Sequence, residues 1–245
     1  MTDAAFIEPV SLASLEGRSL FYPSAGFDWS EFLTTFADHI DEFRFADTQY
    51  QFDRNFGSPF VDPSEYRKIA SDLDGNPTAQ TETRKDASAD AYDFVKPAHL
   101  TEVYERILDG RRLKVIRRRG YGQYALAEFS DRSIGVFVHR GDSPGEGGSN
   151  VVFLGNQKRR HEPLSNLFDK LTQKLADRAL IISDGSNARA KFLAKFHNTD
   201  VSGAEAFAVQ RETLFSFGAF EWKCVGYANR RYGPTLVWEV KRHSA

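Results

Sequence analysis

The chain has 245 residues, of which 41% are hydrophobic, and its 32 lysines and arginines against 34 aspartates and glutamates give a formal net charge of −2. This length fits one domain, and no apolar run approaches the roughly twenty residues that a transmembrane helix needs. The single cysteine, Cys224, excludes an internal disulfide and a cysteine-based zinc site. The acidic N-terminal segment lacks the basic and apolar parts of a secretory signal, which predicts a cytoplasmic protein.

The N-terminal part of the chain predicts a strand, a helix and a second strand. Residues 19–26 form a short aromatic run that ends in glycine, which is typical of a buried strand and a turn. Asp28 can cap a helix that continues to about Ile40, with apolar residues at helical spacing. Residues 42–47 alternate as a strand does. Together they predict a βαβ unit with a right-handed crossover.

The middle of the chain is less regular. Residues 57–98 contain four prolines among small polar residues, which predicts an irregular insertion with one short helix near 63–73. We then expect a helix at 98–108, followed by an antiparallel hairpin whose strands are 113–117 and 123–129. The nearly continuous apolar run at 133–139 is typical of a central strand.

The C-terminal half predicts two more helices and four more strands. The helices are expected at 163–176 and 188–196. The strands are expected at 151–154, 179–183, 220–227 and 235–241. The last two of these form an aromatic antiparallel pair, in which alternation favours core positions for Trp222 and Trp238. Tyr232, in the turn between them, is the better candidate for a ligand contact.

This alternation predicts an α/β fold, a Rossmann-like three-layer sandwich with helices on both faces of a mostly parallel sheet and a C-terminal antiparallel hairpin. We expect a single domain over 1–245, with the insertion at 57–98. The parallel strands would end on one edge, where ligands bind in such sheets. Polar, glycine-containing segments follow four of the predicted strands, at 23–28, 47–50, 139–150 and 183–187. Their convergence predicts a site, although turns alone would also explain polar strand ends.

Two of these segments have the spacing of a nucleotide-binding unit. Gly26 opens a helix, whose free N–H groups favour an anionic or polar ligand. Asp47 follows 21 residues later, where such units place a ribose-binding acid. With Tyr22-Pro-Ser-Ala-Gly26 as a first motif, Asp47 and the terminal antiparallel strands, the chain resembles the class I S-adenosylmethionine-dependent methyltransferases. That family usually has two or three glycines in this loop, and this chain has one.

The resemblance implies S-adenosylmethionine as the cofactor. Ser24, Ala25 and Gly26 would approach its methionine part, and Asp47 would hold its ribose. Asp142-Ser-Pro is a loose counterpart of the family's acidic-proline motif on the substrate side.

The loop at 139–150 supplies the candidates for chemistry. Its four glycines expose backbone amides. We expect Asp142 to orient or deprotonate the methyl acceptor, with His139 and Asp184 as further catalytic candidates. A structural histidine at a strand end is the alternative for His139. The substrate-binding candidates are Arg140, Ser143, Gly145, Glu146, Ser186 and Asn187.

Two other classes of function stay open. The first is a phosphate-directed hydrolase in the same crevice, using either a serine nucleophile or a metal ion held by Asp142, Glu146, Asp184 and His139. The second is a non-catalytic module that contacts nucleic acid or protein through basic clusters. Those clusters are 111–112, 117–119, 158–160 and 230–231. Solvated basic turns beside acidic neighbours are the simpler interpretation of the same residues.

Overall fold

A computed structural model of the chain describes residues 5–23, 25–26, 30–47, 63–71, 100–119, 122–140, 167–185, 191–229 and 233–244. Eleven strands lie in these ranges and join into one mixed sheet. Their bounds are β1 (Phe6–Ile7), β2 (Ser19–Pro23), β3 (Glu42–Asp47), β4 (Arg67–Ser71), β5 (Leu100–Leu108), β6 (Arg111–Arg119), β7 (Ile134–His139), β8 (Leu175–Ser183), β9 (Leu214–Phe217), β10 (Phe220–Ala228) and β11 (Thr235–Arg242). Their order across the sheet is β1-β10-β11-β8-β7-β2-β3-β6-β5-β4, and β9 pairs with β10.

The helices of the described ranges are short. They are α1 (Pro9–Ala13), α2 (Ser30–Phe36), α3 (Gly122–Ala127), α4 (Leu167–Lys174), α5 (Lys191–Ala194) and α6 (Gly203–Gln210), with a single 3-10 turn at Pro63–Glu65. None of these helices is long and apolar enough to cross a lipid bilayer.

The expectation of a Rossmann-like three-layer sandwich is therefore wrong. Only four of the ten strand pairings between described residues are parallel, namely β2–β3, β2–β7, β3–β6 and β7–β8. The other six are antiparallel and extend the sheet on both sides. Few helices flank so wide a sheet. The structure is a mixed eleven-stranded sheet with a parallel centre.

The elements expected from the sequence differ most from the observed ones between residues 98 and 129. The segment expected as a helix at 98–108 is the strand β5, and the segment expected as a strand at 123–129 begins as the helix α3. The hairpin is formed instead by β5 and β6, which pair from Leu100–Arg119 to Leu108–Arg111. Its turn is Asp109-Gly110, and both residues have positive φ, as a two-residue hairpin turn of this sequence requires. The helix expected near 63–73 is replaced by β4 at residues 67–71.

Other expected elements are confirmed with shifted ends. The strand–helix–strand unit is present as β2, α2 and β3, with β2 and β3 parallel. The helix expected at 163–176 is described as α4 and ends at Lys174, where β8 begins at once. The helix expected at 188–196 is described only as the short α5. The strand expected at 151–154 lies outside the described residues.

The parallel centre is buried on both faces. One cluster of buried apolar residues contains Phe137, Trp222 and Trp238 and contacts residues of α3, α5 and α6. The other contains Phe32 and Phe36 of α2, packed on the opposite side of β2 and β3. Both tryptophans are fully buried, so their predicted core positions are confirmed.

Cys224 lies in the buried cluster that contains Trp222 and Trp238, and it is expected to be unreactive in the folded protein. Burial raises the pKa of its thiol to about 12, so almost no thiolate forms at mildly alkaline pH. A thiol-specific reagent such as dithiobis-nitrobenzoate should therefore release no colour from the native protein and one equivalent per chain after unfolding in guanidinium chloride. Rapid reaction of the native protein would contradict the buried position.

Candidate functional site

Five adjacent strands of the sheet end at one edge. They are β6, β3, β2, β7 and β8, and each is parallel to its neighbours within this set. In the register of these strands Pro23 lies opposite Ala46, and His139 lies opposite Ser183. β10 runs in the same direction as β8, because both are antiparallel to β11, so the connection from β10 to β11 starts at this edge too. We call it the carboxyl edge.

Gly26 and Asp47 meet at the carboxyl edge. The Gly26 N–H donates a hydrogen bond of 2.9 Å to Oδ2 of Asp47, and the Ala25 N–H donates one of 3.2 Å to the carbonyl of Ala46. Gly26 has a φ of +52°, a conformation that glycine adopts without strain. The chain after β2 is thus held against the end of β3 by a carboxylate. Ser24, the third expected contact of this loop, lies outside the described residues.

His139 forms a second polar group at the ends of β7 and β8. Its Nδ1 lies 3.1 Å from Oγ of Ser183, which also accepts a hydrogen bond of 3.0 Å from the Gly185 N–H. The Asp184 N–H donates to the carbonyl of His139 over 3.3 Å. The side chains of His139, Ser183 and Asp184 are almost completely buried.

Burial makes His139 hard to protonate. It lowers the pKa of the imidazole to about 4, and although Asp184 acts in the opposite direction, His197 adds to the lowering. The ring is therefore neutral near pH 7 and can accept or donate a hydrogen bond without carrying charge. His197 lies beyond α5 in the chain, and no spacing in the sequence connects it with His139.

Close packing at Gly185 places α5 next to the polar residues at the ends of β7 and β8. Gly185 has a φ of +76°, and a Cβ added there would lie 1.9 Å from the carbonyl oxygen of Leu193 in α5. Only a glycine lets the chain after β8 turn against α5 in this way. His197, three residues beyond α5, is then close enough to affect the charge of His139.

Arg140, expected among the substrate-binding residues, has partners inside the protein. Its side chain is almost fully buried and donates a hydrogen bond of 2.8 Å to the carbonyl of Asn229. A second guanidinium nitrogen lies 3.4 Å from Oε2 of Glu31. Glu31 had no place among the expected site residues, because its contacts join segments that are distant in sequence.

The remaining expected site residues lie outside the described residues, and their roles stay predictions. They are Asp142, Ser143, Gly145, Glu146, Ser186 and Asn187. Among the described residues no group of three or more histidine, cysteine, aspartate or glutamate side chains is arranged to hold a metal ion.

The described basic clusters are largely neutralised by acidic partners. Arg117 lies 3.3 Å from Glu102 and Arg118 pairs with Glu128, and both arginine side chains are about nine-tenths buried. Arg112 is exposed and pairs with Glu105 at 2.7 Å. A buried arginine in an ion pair is poorly placed to bind phosphate. The pairs formed by Arg117 and Arg118 therefore give no support to a nucleic-acid face there, and the clusters at 158–160 and 230–231 lie outside the described residues.

Comparison with protein-family models, with curated protein sequences and with solved structures finds no match to this chain.

Proposed function

We propose that this chain binds an adenosine-containing ligand at its carboxyl edge. S-adenosylmethionine is the first candidate, as the donor of a methyl group to an acceptor bound nearby. The proposal rests on the hydrogen bond between the Gly26 N–H and Asp47 Oδ2. A cytoplasmic location is part of it.

The Gly26–Asp47 contact supports this ligand class for a chemical reason. An ionised carboxylate has two acceptor oxygens with several lone-pair positions, so it can bind a ribose diol while it still accepts one backbone N–H. Asp47 is only partly buried, which leaves the carboxylate within reach of solvent. The βαβ unit that carries the two residues is retained although the wider fold differs from the expectation.

The location within the sheet is a second line of support. Parallel strands leave a crevice beyond their carboxyl ends, and ligands of open sheets bind there. Asp47 stands at the end of β3, next to the end of β2, inside the parallel centre rather than in the antiparallel flanks.

Titration calorimetry with S-adenosylmethionine and with S-adenosylhomocysteine tests the proposal. The wild-type protein should bind at least one of them, and Asp47→Asn should weaken binding about 30-fold, because hydrogen bonds to a charged group contribute about 2 kcal/mol. A wild-type protein that binds neither compound would contradict the proposal, as would an Asp47→Asn protein with unchanged affinity.

Asp41→Asn is the matched control. Asp41 directly precedes β3, at the opposite end of the strand from Asp47, and its carboxylate pairs with Arg18 and Arg111 on the surface. Exposed ion pairs contribute little to stability. The Asp41→Asn protein should therefore fold normally and bind both compounds as the wild type does.

A further inference from the structure

Arg140 is one of the largest fully buried side chains of the described structure, and it directly follows β7 at the carboxyl edge. A buried guanidinium is destabilising unless hydrogen bonds and an opposite charge compensate it. Its partners therefore show which parts of the chain it holds.

Arg140 and Glu31 together hold the backbone N–H and carbonyl of one residue, Asn229, at the carboxyl edge. Arg140 donates to the carbonyl of Asn229 at 2.8 Å, and Oε1 of Glu31 accepts from the Asn229 N–H at 3.1 Å. The two side chains also form an ion pair with each other. Asn229 is the first residue after β10, so the pair anchors the start of the connection to β11.

Aromatic contacts continue from Arg140 toward β2. The guanidinium carbon lies 5.3 Å from the centre of the Phe32 ring, at a distance where cation–π attraction operates. The Phe32 ring meets the Tyr22 ring edge-on, with centroids 5.3 Å apart. Phe32 lies in the first turn of α2, and Tyr22 lies in β2, shortly before Gly26.

Gly26 and the first turn of α2 are therefore each held at the carboxyl edge. Asp47 holds Gly26 on the β2 side, and Arg140 with Glu31 holds the first turn of α2 on the other side. We infer that Arg140 is a positioning residue that keeps Gly26 beside Asp47, through its contacts with Glu31, Phe32 and Asn229. The effect on ligand affinity rests on the proposed function, whereas the effect on the position of Gly26 does not.

Hydrogen exchange and ligand titration of Arg140→Met test this inference. The amides of Gly26 and Asn229 should exchange about tenfold faster than in the wild type, relative to the amide of Ile181 in the core strand β8. Affinity for S-adenosylhomocysteine should fall by about tenfold, because the site is no longer held in its binding geometry. Arg140→Lys, which keeps the positive charge on a single donor nitrogen, should restore part of both losses.

Arg242→Met is the matched control. Arg242 is the last residue of β11, which is antiparallel to β8, so it lies at the edge of the sheet opposite the carboxyl edge. Arg242 pairs with Asp177 at 2.7 Å, lies 4.5 Å from the centre of the Phe220 ring and donates to two backbone carbonyls. Its chemistry therefore resembles that of Arg140. Its replacement should lower stability without changing relative exchange at Gly26 or affinity for S-adenosylhomocysteine.

The exchange measurement tests the positioning role of Arg140, and the ligand titration of the wild type tests the proposed function. Unchanged relative exchange at Gly26 in Arg140→Met, or the same change in Arg242→Met, would overturn the positioning role. If Arg140→Met fails to fold, Glu31→Gln replaces it, since an amide keeps an acceptor for Asn229 but loses the ion pair, and the same exchange measurement applies. A wild-type protein that does not bind S-adenosylhomocysteine or S-adenosylmethionine would remove the proposed function, while exchange at Gly26 would still decide the role of Arg140.

Discussion

Acidification from pH 6.5 to about pH 4 is expected to lower the free energy of unfolding by about 3 kcal/mol through His139. Burial is the main cause, because it penalises the charged imidazole. The nearby Asp184 favours protonation of His139 and so reduces the lowering of its pKa. His197 disfavours protonation and adds to that lowering.

Acid lowers the free energy of unfolding because the unfolded chain binds the proton of His139 more readily than the folded protein does. In the unfolded chain the imidazole is protonated near pH 6.5, but in the folded protein it stays neutral until about pH 4. Between these values protons bind preferentially to the unfolded chain. The contribution is complete above pH 6.5, is lost as the pH falls through this window, and changes no further below it.

Urea unfolding at a series of pH values measures this contribution. His139→Asn cannot titrate, so its stability should fall less steeply than that of the wild type between pH 6.5 and pH 4. His243→Asn is the control, since His243 is exposed near the end of β11, far along the chain from the buried group, and it should retain the wild-type profile. A His139→Asn protein with the full wild-type loss would show that other groups cause the acid sensitivity.

Replacing Glu102 by glutamine is expected to destabilise the protein by about 3 kcal/mol, because the negative charge beside the buried Arg117 is then lost. The Glu102 carboxylate lies 3.3 Å from Arg117 and 2.5 Å from Lys68, and it accepts a hydrogen bond of 2.9 Å from the Tyr104 hydroxyl. The pKa of Tyr104 is raised, first by burial and then by this carboxylate. Glutamine keeps the shape of the side chain but not its charge.

Glu105 provides a matched comparison on the same strand. It too is nearly buried, but its partners Arg67 and Arg112 are about three-quarters exposed. Water stabilises those arginines when the pair is lost, so Glu105→Gln should cost only about 1 kcal/mol. Chemical denaturation of both variants at neutral pH measures the difference. Equal losses would mean that burial of the arginine does not determine the cost.

The sequence predicted the parallel centre of the sheet and failed in the charged flank. β2, β7 and the second half of β8 are apolar runs followed by polar segments, and β3 alternates apolar with polar residues, so their patterns indicate strands. In β5, by contrast, the apolar residues recur at helical spacing, at positions 100, 103, 104, 107 and 108. Pairing with β6 overrides that spacing, because cross-strand contacts such as Glu102 with Arg117 are long-range and leave no local pattern.

The turn between β5 and β6 carries the local sequence signal that predicts this hairpin. Asp109-Gly110 between two segments of strand-compatible residues is a strong hairpin signal, and it lies between the helix expected at 98–108 and the strand expected at 113–117. Giving that dipeptide more weight than the helical spacing would have predicted the correct hairpin. It would also have predicted antiparallel strands on that side of the sheet.

The candidate site was predictable only where its partners are close along a βαβ unit. Gly26 and Asp47 are joined by the geometry that their spacing predicts. His197 and Glu31 had no such signal: Glu31 reaches Asn229 across 198 positions of the chain. Contacts of that range depend on the order of strands in the sheet, which single-sequence patterns do not contain.

That strand order also limits how the protein can be divided. β2 lies between β3, the next strand along the chain, and β7, whose Ile134 pairs with Ser19 of β2 although it comes from the other half of the chain. β8 in turn is bordered by β11 near the C-terminus. A contiguous fragment that ends before β7 or before β11 would therefore lose a sheet neighbour of β2 or of β8 and expose unpaired backbone groups. Two separately expressed halves of the chain would therefore regain the carboxyl edge only by associating.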